Sequence, residues 1–277
     1  MLSYRHAFHA GNYADVLKHA TLVQILRYMT QKDKPLCYLD THAGAGFYSL
    51  YSPQATKTGE YQHGIGLLWQ RRGLPTALAD YQTCVVAACG AHLTAYPGSP
   101  WFAQHLLRPV DRLELCELHP ADSKQLERTF RTSTNVRCHA EDGWHKSLAL
   151  TPPPERRGIV LIDPSYEVKD DYFKVADHLM LLHRKFATGV YAVWYPIADP
   201  ARTEVLLRRV RNSGVRRIVR LEIGLTRDHS QPGMTGTGML GVNPPWNLAE
   251  VMKPALEWFA ARLGEGAYAQ VEELVGE

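Results

Sequence analysis

Cysteine is scarce in this sequence, and long apolar runs are missing. The 277 residues include five cysteines, an odd number with no Cys-x-x-Cys pair, which argues against a disulfide framework and against a cysteine zinc site. No stretch approaches the roughly twenty apolar residues of a membrane span, and the amino terminus lacks the apolar segment of a secretory signal. We therefore expect a cytoplasmic protein with reduced thiols and no membrane segment.

An excess of charge of one sign is also missing. The 31 basic residues face 28 acidic ones, so the formal net charge is only +3. That balance permits an anionic partner but does not identify one. Hydrophobic residues make up 45% of the chain, which is enough for a full core.

Apolar strand-like runs alternate with helical segments along most of the chain. Four runs end at an acid or a glycine and are followed by helical sequence: PLCYLDTHAGAG (35–46), DRLELCELHP (111–120), NVRCHAEDGW (135–144) and GIVLIDPSY (158–166). This repeat predicts an α/β protein with a parallel sheet and ligands at the carboxyl ends of its strands.

The other predicted elements surround these runs. A helix over 14–29 opens the chain, and helical segments lie around 59–72 and 75–90; strands at 189–197, 215–225 and 237–246 and a basic helix at 200–213 complete the sheet. Because the first connection is long, we predict that residues 47–95 form a helical insertion subdomain, and that 1–46 with 96–277 form the main domain.

A glycine turn and two acidic strand ends point to a nucleoside. Gly44 and Gly46 follow the first run, although Ser49 stands where a dinucleotide GxGxxG would need its third glycine. An acid such as Glu117 at the second strand end can accept both ribose hydroxyls, and a carboxylate in 141–143 can accept an adenine amine. The alternatives are a plain tight turn and solvated acids.

S-adenosylmethionine fits this pattern better than a nucleotide. His42 occupies the turn and no Walker lysine follows it, so a phosphate cradle is missing. S-adenosylmethionine carries no phosphate.

The fourth run ends at Asp163-Pro164-Ser165-Tyr166, which we interpret as a catalytic loop. Asp163 and the Pro164 carbonyl can each accept one hydrogen of an adenine N6 amine, and Tyr166 can stack on a base taken out of its helix. Direct in-line methyl transfer then needs no covalent enzyme intermediate. The alternative is a proline turn with a half-buried tyrosine.

A second candidate loop is Asn243-Pro244-Pro245-Trp246. It follows the last predicted strand, and if that strand runs antiparallel the loop lies at a different edge from the crevice. We assign it a structural or rim role.

The sequence resembles the RlmJ-type 23S ribosomal RNA adenine-N6 methyltransferases. The matching segments, in order over nearly the whole chain, include YRHAFHAGNYADVLKH (4–19), YLDTHAGAG (38–46), YPGSP (96–100), LIDPSYE (161–167), GMTGTGM (233–239) and NPPW (243–246). The resemblance implies a Rossmann-like S-adenosylmethionine-dependent methyltransferase sheet with a small helical insertion after the first strand.

The resemblance also assigns site residues. It places the cofactor at His19, His42, Ser99, Glu117, Asp142 with Gly143, and Asp163, and it makes Asp163 the catalytic acid. One departure is Ser165, where the family pattern is DPPY; the acid, the Pro164 carbonyl and the aromatic ring are kept.

The amino-terminal segment is rich in polar side chains. The resemblance places it over the cofactor and the target base, which makes Tyr4, His6 and Lys18 candidates for substrate binding. A metal site at His6-x-x-His9 lacks supporting cysteines or an HExxH motif, so we expect no metal.

Seven arginines lie within 202–220, a segment that predicts an amphipathic basic helix and an edge strand. These arginines form either a solvated basic face or contacts to RNA phosphates. We expect 23S ribosomal RNA as partner, free or in an early assembly intermediate, and a monomer without an obligate protein partner. A DNA adenine-N6 methyltransferase, a catalytically silent RNA-binding protein and a nicotinamide-dependent oxidoreductase are the competing interpretations.

Overall fold

The computed structural model describes residues 4–228 and 233–277, which fold around one mixed sheet. The helices are α1 (Tyr13–Thr30), α2 (Pro53–Thr58), α3 (Thr76–Cys89), α4 (Ser99–Leu106), α5 (Pro120–Phe130), α6 (Gly143–Leu150), α7 (Asp171–Lys185), α8 (Pro200–Arg211) and α9 (Leu248–Leu263). The strands are β1 (Cys37–Asp40), β2 (Phe47–Ser49), β3 (Ala95–Pro97), β4 (Arg112–Cys116), β5 (Val136–His139), β6 (Gly158–Ile162), β7 (Val190–Ile197), β8 (Ile218–Gly224), β9 (Gly236–Val242) and β10 (Tyr268–Val275).

The sheet has the strand order β10-β8-β9-β7-β6-β1-β4-β5. The pairs joining β5, β4, β1, β6 and β7 are all parallel, whereas β9 runs antiparallel to both β7 and β8. The chain order reverses between β1 and β6, so a topological switch point lies at their carboxyl ends. The predicted α/β, Rossmann-like sheet is confirmed.

Two apolar layers cover the sheet. The first core cluster combines α1, α3, α4 and α9 with one sheet face, and the second combines α7 and α8 with the other. Helix α1 is buried along most of its length because apolar residues occupy nearly all of its faces. Asn12 caps its start by accepting a hydrogen bond from the Asp15 amide at 3.0 Å. The helix α1 packs against α3, α4 and β9.

Strands β2 and β3 form a short antiparallel ribbon at the base of the segment between β1 and α4. The predicted helix around 75–90 is confirmed as α3, whereas the helical segment predicted around 59–72 is not one continuous helix. Two short 3-10 turns, Glu60–His63 and Ile65–Leu67, occupy that segment. Gly64 explains the break, because a Cβ atom there would lie 2.0 Å from the Gly11 carbonyl oxygen. The chain approaches the start of α1 too closely for a regular helix.

The carboxyl-terminal part of the fold extends beyond the prediction. Helix α9 and strand β10 were not predicted, and β10 pairs antiparallel with β8. Strand β8 is consequently an inner strand, so the predicted edge strand within 215–225 is wrong. The sequence YAQVEELV of β10 mixes polar and apolar residues, and most of its side chains are only half-buried, which weakens the pattern.

All five cysteines are free, with Cys37, Cys84 and Cys116 buried. Among residues 4–228 and 233–277, no helix is long and apolar enough to cross a membrane.

Candidate active site

A cleft of about 1180 Å³ opens at the carboxyl ends of β1, β4, β5 and β6. The structure brings every site residue predicted from the sequence to its wall: Tyr4, His6, Lys18, His19, His42, Gly44, Ser99, Glu117, Asp142, Gly143, Asp163, Pro164 and Tyr166. The four strand ends that the sequence pattern singled out thus share one crevice.

The glycine turn after β1 is fastened to the end of β4. Gly44 adopts a φ of 63°, and its amide donates to Glu117 Oε2 at 2.8 Å. Glu117 also accepts the His119 amide at 2.7 Å, and burial raises the pKa of its carboxyl group. Both backbone bonds fix the carboxylate at the cleft wall, where it can accept hydroxyl hydrogens from a ligand.

The end of β5 approaches the first turn very closely. A Cβ atom on Gly143 would lie 1.8 Å from the Thr41 carbonyl oxygen, so only glycine fits. Asp142 caps α6 by accepting the Trp144 amide at 2.9 Å. Burial lowers the pKa of His42 to about 3, and its ring packs edge-on against Trp144 with centroids 5.0 Å apart. A neutral imidazole and an apolar ring therefore line this wall.

Asp40 is a buried acid that the sequence interpretation missed. It accepts hydrogen bonds from the Tyr38 hydroxyl at 2.7 Å, the Ser99 hydroxyl at 2.7 Å and the His42 amide at 3.1 Å. Its signal in the sequence is its position as the last residue of β1, directly before the glycine turn. Because Ser99 gives its proton to Asp40, the Ser99 oxygen faces the cleft as an acceptor.

The catalytic candidate Asp163 is paired with a lysine from α1. Lys18 Nζ lies 2.7 Å from Asp163 Oδ2 and 3.0 Å from Asp15 Oδ1, and the Lys18 side chain is only 7% exposed. Burial raises the pKa of Asp163 to about 6, and the Lys18 ammonium opposes that rise. Lys18 is thus a buried counter-ion within the cleft rather than an exposed contact.

Asp15 was also missed, although its spacing of three residues from Lys18 on a helix was a usable signal. It accepts the Gly11 amide at 2.8 Å and lies 2.9 Å from His6 Nε2. Burial opposes its ionisation, but His6 and Lys18 hold the pKa of Asp15 well below its usual range. A continuous chain of charged and polar groups therefore links His6 to Asp163.

Tyr166 has an unusual backbone conformation. Its φ is 55°, a left-handed value that costs a bulky residue roughly 1–3 kcal/mol. The hydroxyl donates to the Trp194 carbonyl at 2.7 Å, and the ring packs against Tyr172 with centroids 4.7 Å apart. The surroundings thus hold the ring in a fixed orientation at the cleft wall.

The amino-terminal segment covers one side of the cleft. The Tyr4 hydroxyl lies 2.9 Å from His6 Nδ1, and the Tyr4 ring stacks on His9 with centroids 5.7 Å apart. Burial raises the pKa of the Tyr4 hydroxyl, and His9 pairs with Glu60 at 2.9 Å. Across the described parts of the chain, no group of three or more histidine, cysteine or acidic side chains is arranged to hold a metal ion.

The loop after β9 lies outside this cleft. Asn243 Nδ2 donates to the carbonyl oxygens of Ala187 and Gly189, both at 2.8 Å, just before β7 begins. The loop is therefore at the amino ends of the parallel strands, where Trp246 is 76% exposed. The prediction that it lies at a different edge is confirmed.

The predicted arginines are largely engaged within the protein. Arg202 pairs with Asp199, Arg209 with Asp177, and Arg220 with Glu222 and Glu272. Since Arg220 belongs to an inner strand, it is not a free phosphate contact.

A family model described as ribosomal RNA large subunit methyltransferase D, RlmJ, matches residues 33–274 of this chain. The chain belongs to this RlmJ family. Ribosomal RNA large subunit methyltransferase J of Escherichia coli K12 is 44% identical over 264 residues, which cover 95% of this chain and 94% of that protein. The Haemophilus influenzae protein of the same name is 44% identical over 265 residues, with the same coverage.

A solved structure supports the RlmJ fold. The crystal structure of a Legionella pneumophila protein, 40% identical, superposes with a TM-score of 0.89 over 96% of this chain and 98% of that chain. The resemblance inferred from the sequence motifs is confirmed, and the chain is an RlmJ-family methyltransferase rather than a silent binding protein or an oxidoreductase.

Proposed function

We propose that this protein transfers a methyl group from S-adenosylmethionine to the N6 amine of one adenosine in 23S ribosomal RNA. The observation that carries the proposal is the placement of Asp163, Pro164 and Tyr166 on the same cleft wall as the glycine turn and Glu117. Family membership supports ribosomal RNA as the methyl acceptor.

The residues present fit S-adenosylmethionine. Glu117 offers a fixed carboxylate for ribose hydroxyls, and Asp142 and Gly143 line the cleft beside His42, where an adenine ring can lie. The Ser99 oxygen is an acceptor for an ammonium group, since its proton goes to Asp40. When bound, this cofactor supplies an electrophilic methyl group on a sulfonium.

Asp163 prepares the target amine. Its carboxylate accepts one N6 hydrogen and the Pro164 carbonyl accepts the other, which directs the nitrogen lone pair towards the methyl group. Tyr166 offers its fixed ring as a stacking surface for the base, which must leave its helix to enter the cleft. Lys18 keeps Asp163 ionised near neutral pH despite its burial.

The transfer is a direct displacement. The N6–carbon bond forms as the carbon–sulfur bond breaks, and the electron pair of the broken bond stays on sulfur. The methylated nitrogen then loses one proton. Asp163 is suited to receive it because its pKa of about 6 lies near neutrality, and it passes the proton to solvent.

We further propose the arrangement of the whole protein. Residues 47–95 act as an insertion subdomain beside the main domain formed by 1–46 and 96–277. The protein works in the cytoplasm as a monomer, on free 23S ribosomal RNA or on an early assembly intermediate.

The test compares acceptors directly. The purified protein is incubated with methyl-labelled S-adenosylmethionine and unmodified 23S RNA, DNA or protein, and the labelled nucleoside is identified by mass spectrometry. We expect N6-methyladenosine in RNA, its loss in Asp163→Ala, and normal activity in Asp171→Ala, which removes another acid on the cleft wall. Labelling of DNA instead, or equal labelling of RNA by Asp163→Ala, would refute the proposal.

A further inference from the structure

Three buried side chains form a hydrogen-bonded chain that ends at the cleft. The Tyr81 hydroxyl, on α3, lies 2.8 Å from the Tyr96 hydroxyl, on β3. The Tyr96 hydroxyl in turn lies 2.7 Å from His19 Nδ1, on α1. Both tyrosines are fully buried, so water does not supply further partners.

The available hydroxyl protons favour one direction of donation along these hydrogen bonds. In the described residues, Tyr81 has no hydrogen-bond partner except Tyr96, so its hydroxyl proton is accepted only if it points to the Tyr96 oxygen. Tyr96 must then give its own proton to His19 Nδ1. The opposite direction would leave the buried Tyr81 proton without an acceptor, which disfavours it by roughly tenfold or more.

This direction determines the protonation of His19. Its Nδ1 carries a lone pair, so the single proton of the neutral ring lies on Nε2. Burial lowers the pKa of His19 well below its usual range, which keeps the ring neutral. His19 is held in place by Phe102, with ring centroids 4.7 Å apart.

The other ring nitrogen is available to a ligand. His19 lines the cleft, and no described residue is a partner of its Nε2. Within the described part of the chain, Arg220 Nε is the only buried side-chain nitrogen or oxygen without a partner. His19 Nε2 is therefore not sealed inside the protein, and its proton points to the cleft.

We propose that Tyr96 holds His19 as an Nε2–H donor, which binds the carboxylate of the methionine part of the methyl donor. This inference rests on the proposed function for the identity of the ligand. A donor at this position cannot bind an ammonium group, whereas the nearby Ser99 oxygen can. With Glu117 facing the ribose, the carboxylate is the remaining strong acceptor. Tyr96 is thus a positioning residue that acts through His19.

Nuclear magnetic resonance of the ligand-free protein tests the tautomer. With ¹⁵N-labelled histidine, and with the His19 signals assigned by their loss in His19→Ala, wild type should show protonated Nε2 and unprotonated Nδ1. Tyr96→Phe should give a mixture of both tautomers. Tyr81→Phe is the matched control, because it removes a hydroxyl from the same cluster while Tyr96 still donates to His19, so its tautomer should not change. A proton on Nδ1 in the wild type would overturn the inference.

Calorimetry tests the ligand. Tyr96→Phe should weaken binding of S-adenosylhomocysteine by about fivefold, the usual value of one hydrogen bond, and leave decarboxylated S-adenosylmethionine unaffected. Equal weakening of both compounds would contradict a bond to the carboxylate. If wild type binds neither compound while the tautomer is as expected, the proposed cofactor fails and the tautomer assignment stands. If Tyr96→Phe does not fold, the wild-type and Tyr81→Phe spectra still decide the tautomer.

Discussion

Replacing Lys18 with methionine should move the pH dependence of methyl transfer. Lys18 Nζ lies 2.7 Å from Asp163 Oδ2, and the two side chains are only 7% and 13% exposed. At an effective dielectric constant of about 20, two unit charges at this distance attract each other by about 6 kcal/mol. This attraction opposes the rise in the pKa of Asp163 that burial causes.

Without the ammonium group, Asp163 should ionise only at higher pH. The calculated attraction corresponds to at most about four pH units, and we expect the acidic limb of the rate profile to move up by about two to four pH units. The rate at pH 7 then falls by about tenfold or more, and it recovers as the pH rises. Removing one partner of a buried ion pair should also destabilise the fold by about 3–5 kcal/mol.

The assay is single-turnover methyl transfer to an RNA transcript at a series of pH values, with thermal unfolding measured on the same samples. Lys174→Met is the control, because Lys174 also lines the cleft but lies over the Trp144 ring, 4.5 Å from its centroid. Its profile should match that of the wild type. If Lys18→Met lost activity equally at all pH values, the ion pair would not control the ionisation of Asp163.

Three further changes test other parts of the structure. The native pKa of Asp163 is about 6 against a usual 3.8, so the folded state binds more protons between these values and the contribution of Asp163 to stability falls as pH rises. In urea titrations, the unfolding free energy of Asp163→Asn relative to wild type should increase by about 2.4 kcal/mol from pH 4 to pH 7. A constant difference would contradict the burial of this carboxyl group. Asn243→Ala should lose about 2–3 kcal/mol of stability through two side-chain hydrogen bonds and a φ of 49°, with methyl transfer unchanged below its melting temperature; a large loss of activity in the folded variant would contradict its structural role. Ser165→Pro should keep kcat within about twofold, because the Ser165 amide donates to no backbone acceptor among the described residues; a marked loss of kcat would show that the turn depends on serine.

The centre of the sheet could be predicted from the sequence because β6 and β7 are short, mostly apolar runs, whereas β4 and β5 mix apolar with charged residues. The strand β6 is buried at every position, and β4, β5 and β6 are each followed by a turn and a helix, whereas β1 is followed by the short strand β2. The contact between Lys18 and Asp163, by contrast, joins residues 145 apart in the chain. Local periodicity gives the existence of α1 but not the position of its Lys18 beside Asp163.

The missed acids show the same limit. Asp40 and Asp15 look like ordinary polar residues at the end of a strand and the start of a helix. Only packing reveals that Asp40 is fully buried and that Asp15 accepts bonds from three different groups. The role of these two acids in the cleft depends on partners that the fold brings together. The sequence pattern does not show the distances between the acids and those partners.

Two loops with similar sequences were candidates for the reacting centre, and their backbones separate them as clearly as their positions do. Tyr166 and Asn243 both have left-handed φ values, 55° and 49°. For asparagine this conformation is ordinary turn chemistry, and its side chain satisfies two carbonyl groups at the amino ends of the strands. For a buried tyrosine the residue type gives no such reason, and the conformation persists because Trp194 and Tyr172 hold the ring at the cleft wall. Strand direction puts the two loops at opposite edges, since β9 runs antiparallel to β7. The strained loop is therefore the one beside Asp163, where a fixed ring has a use in stacking on a base.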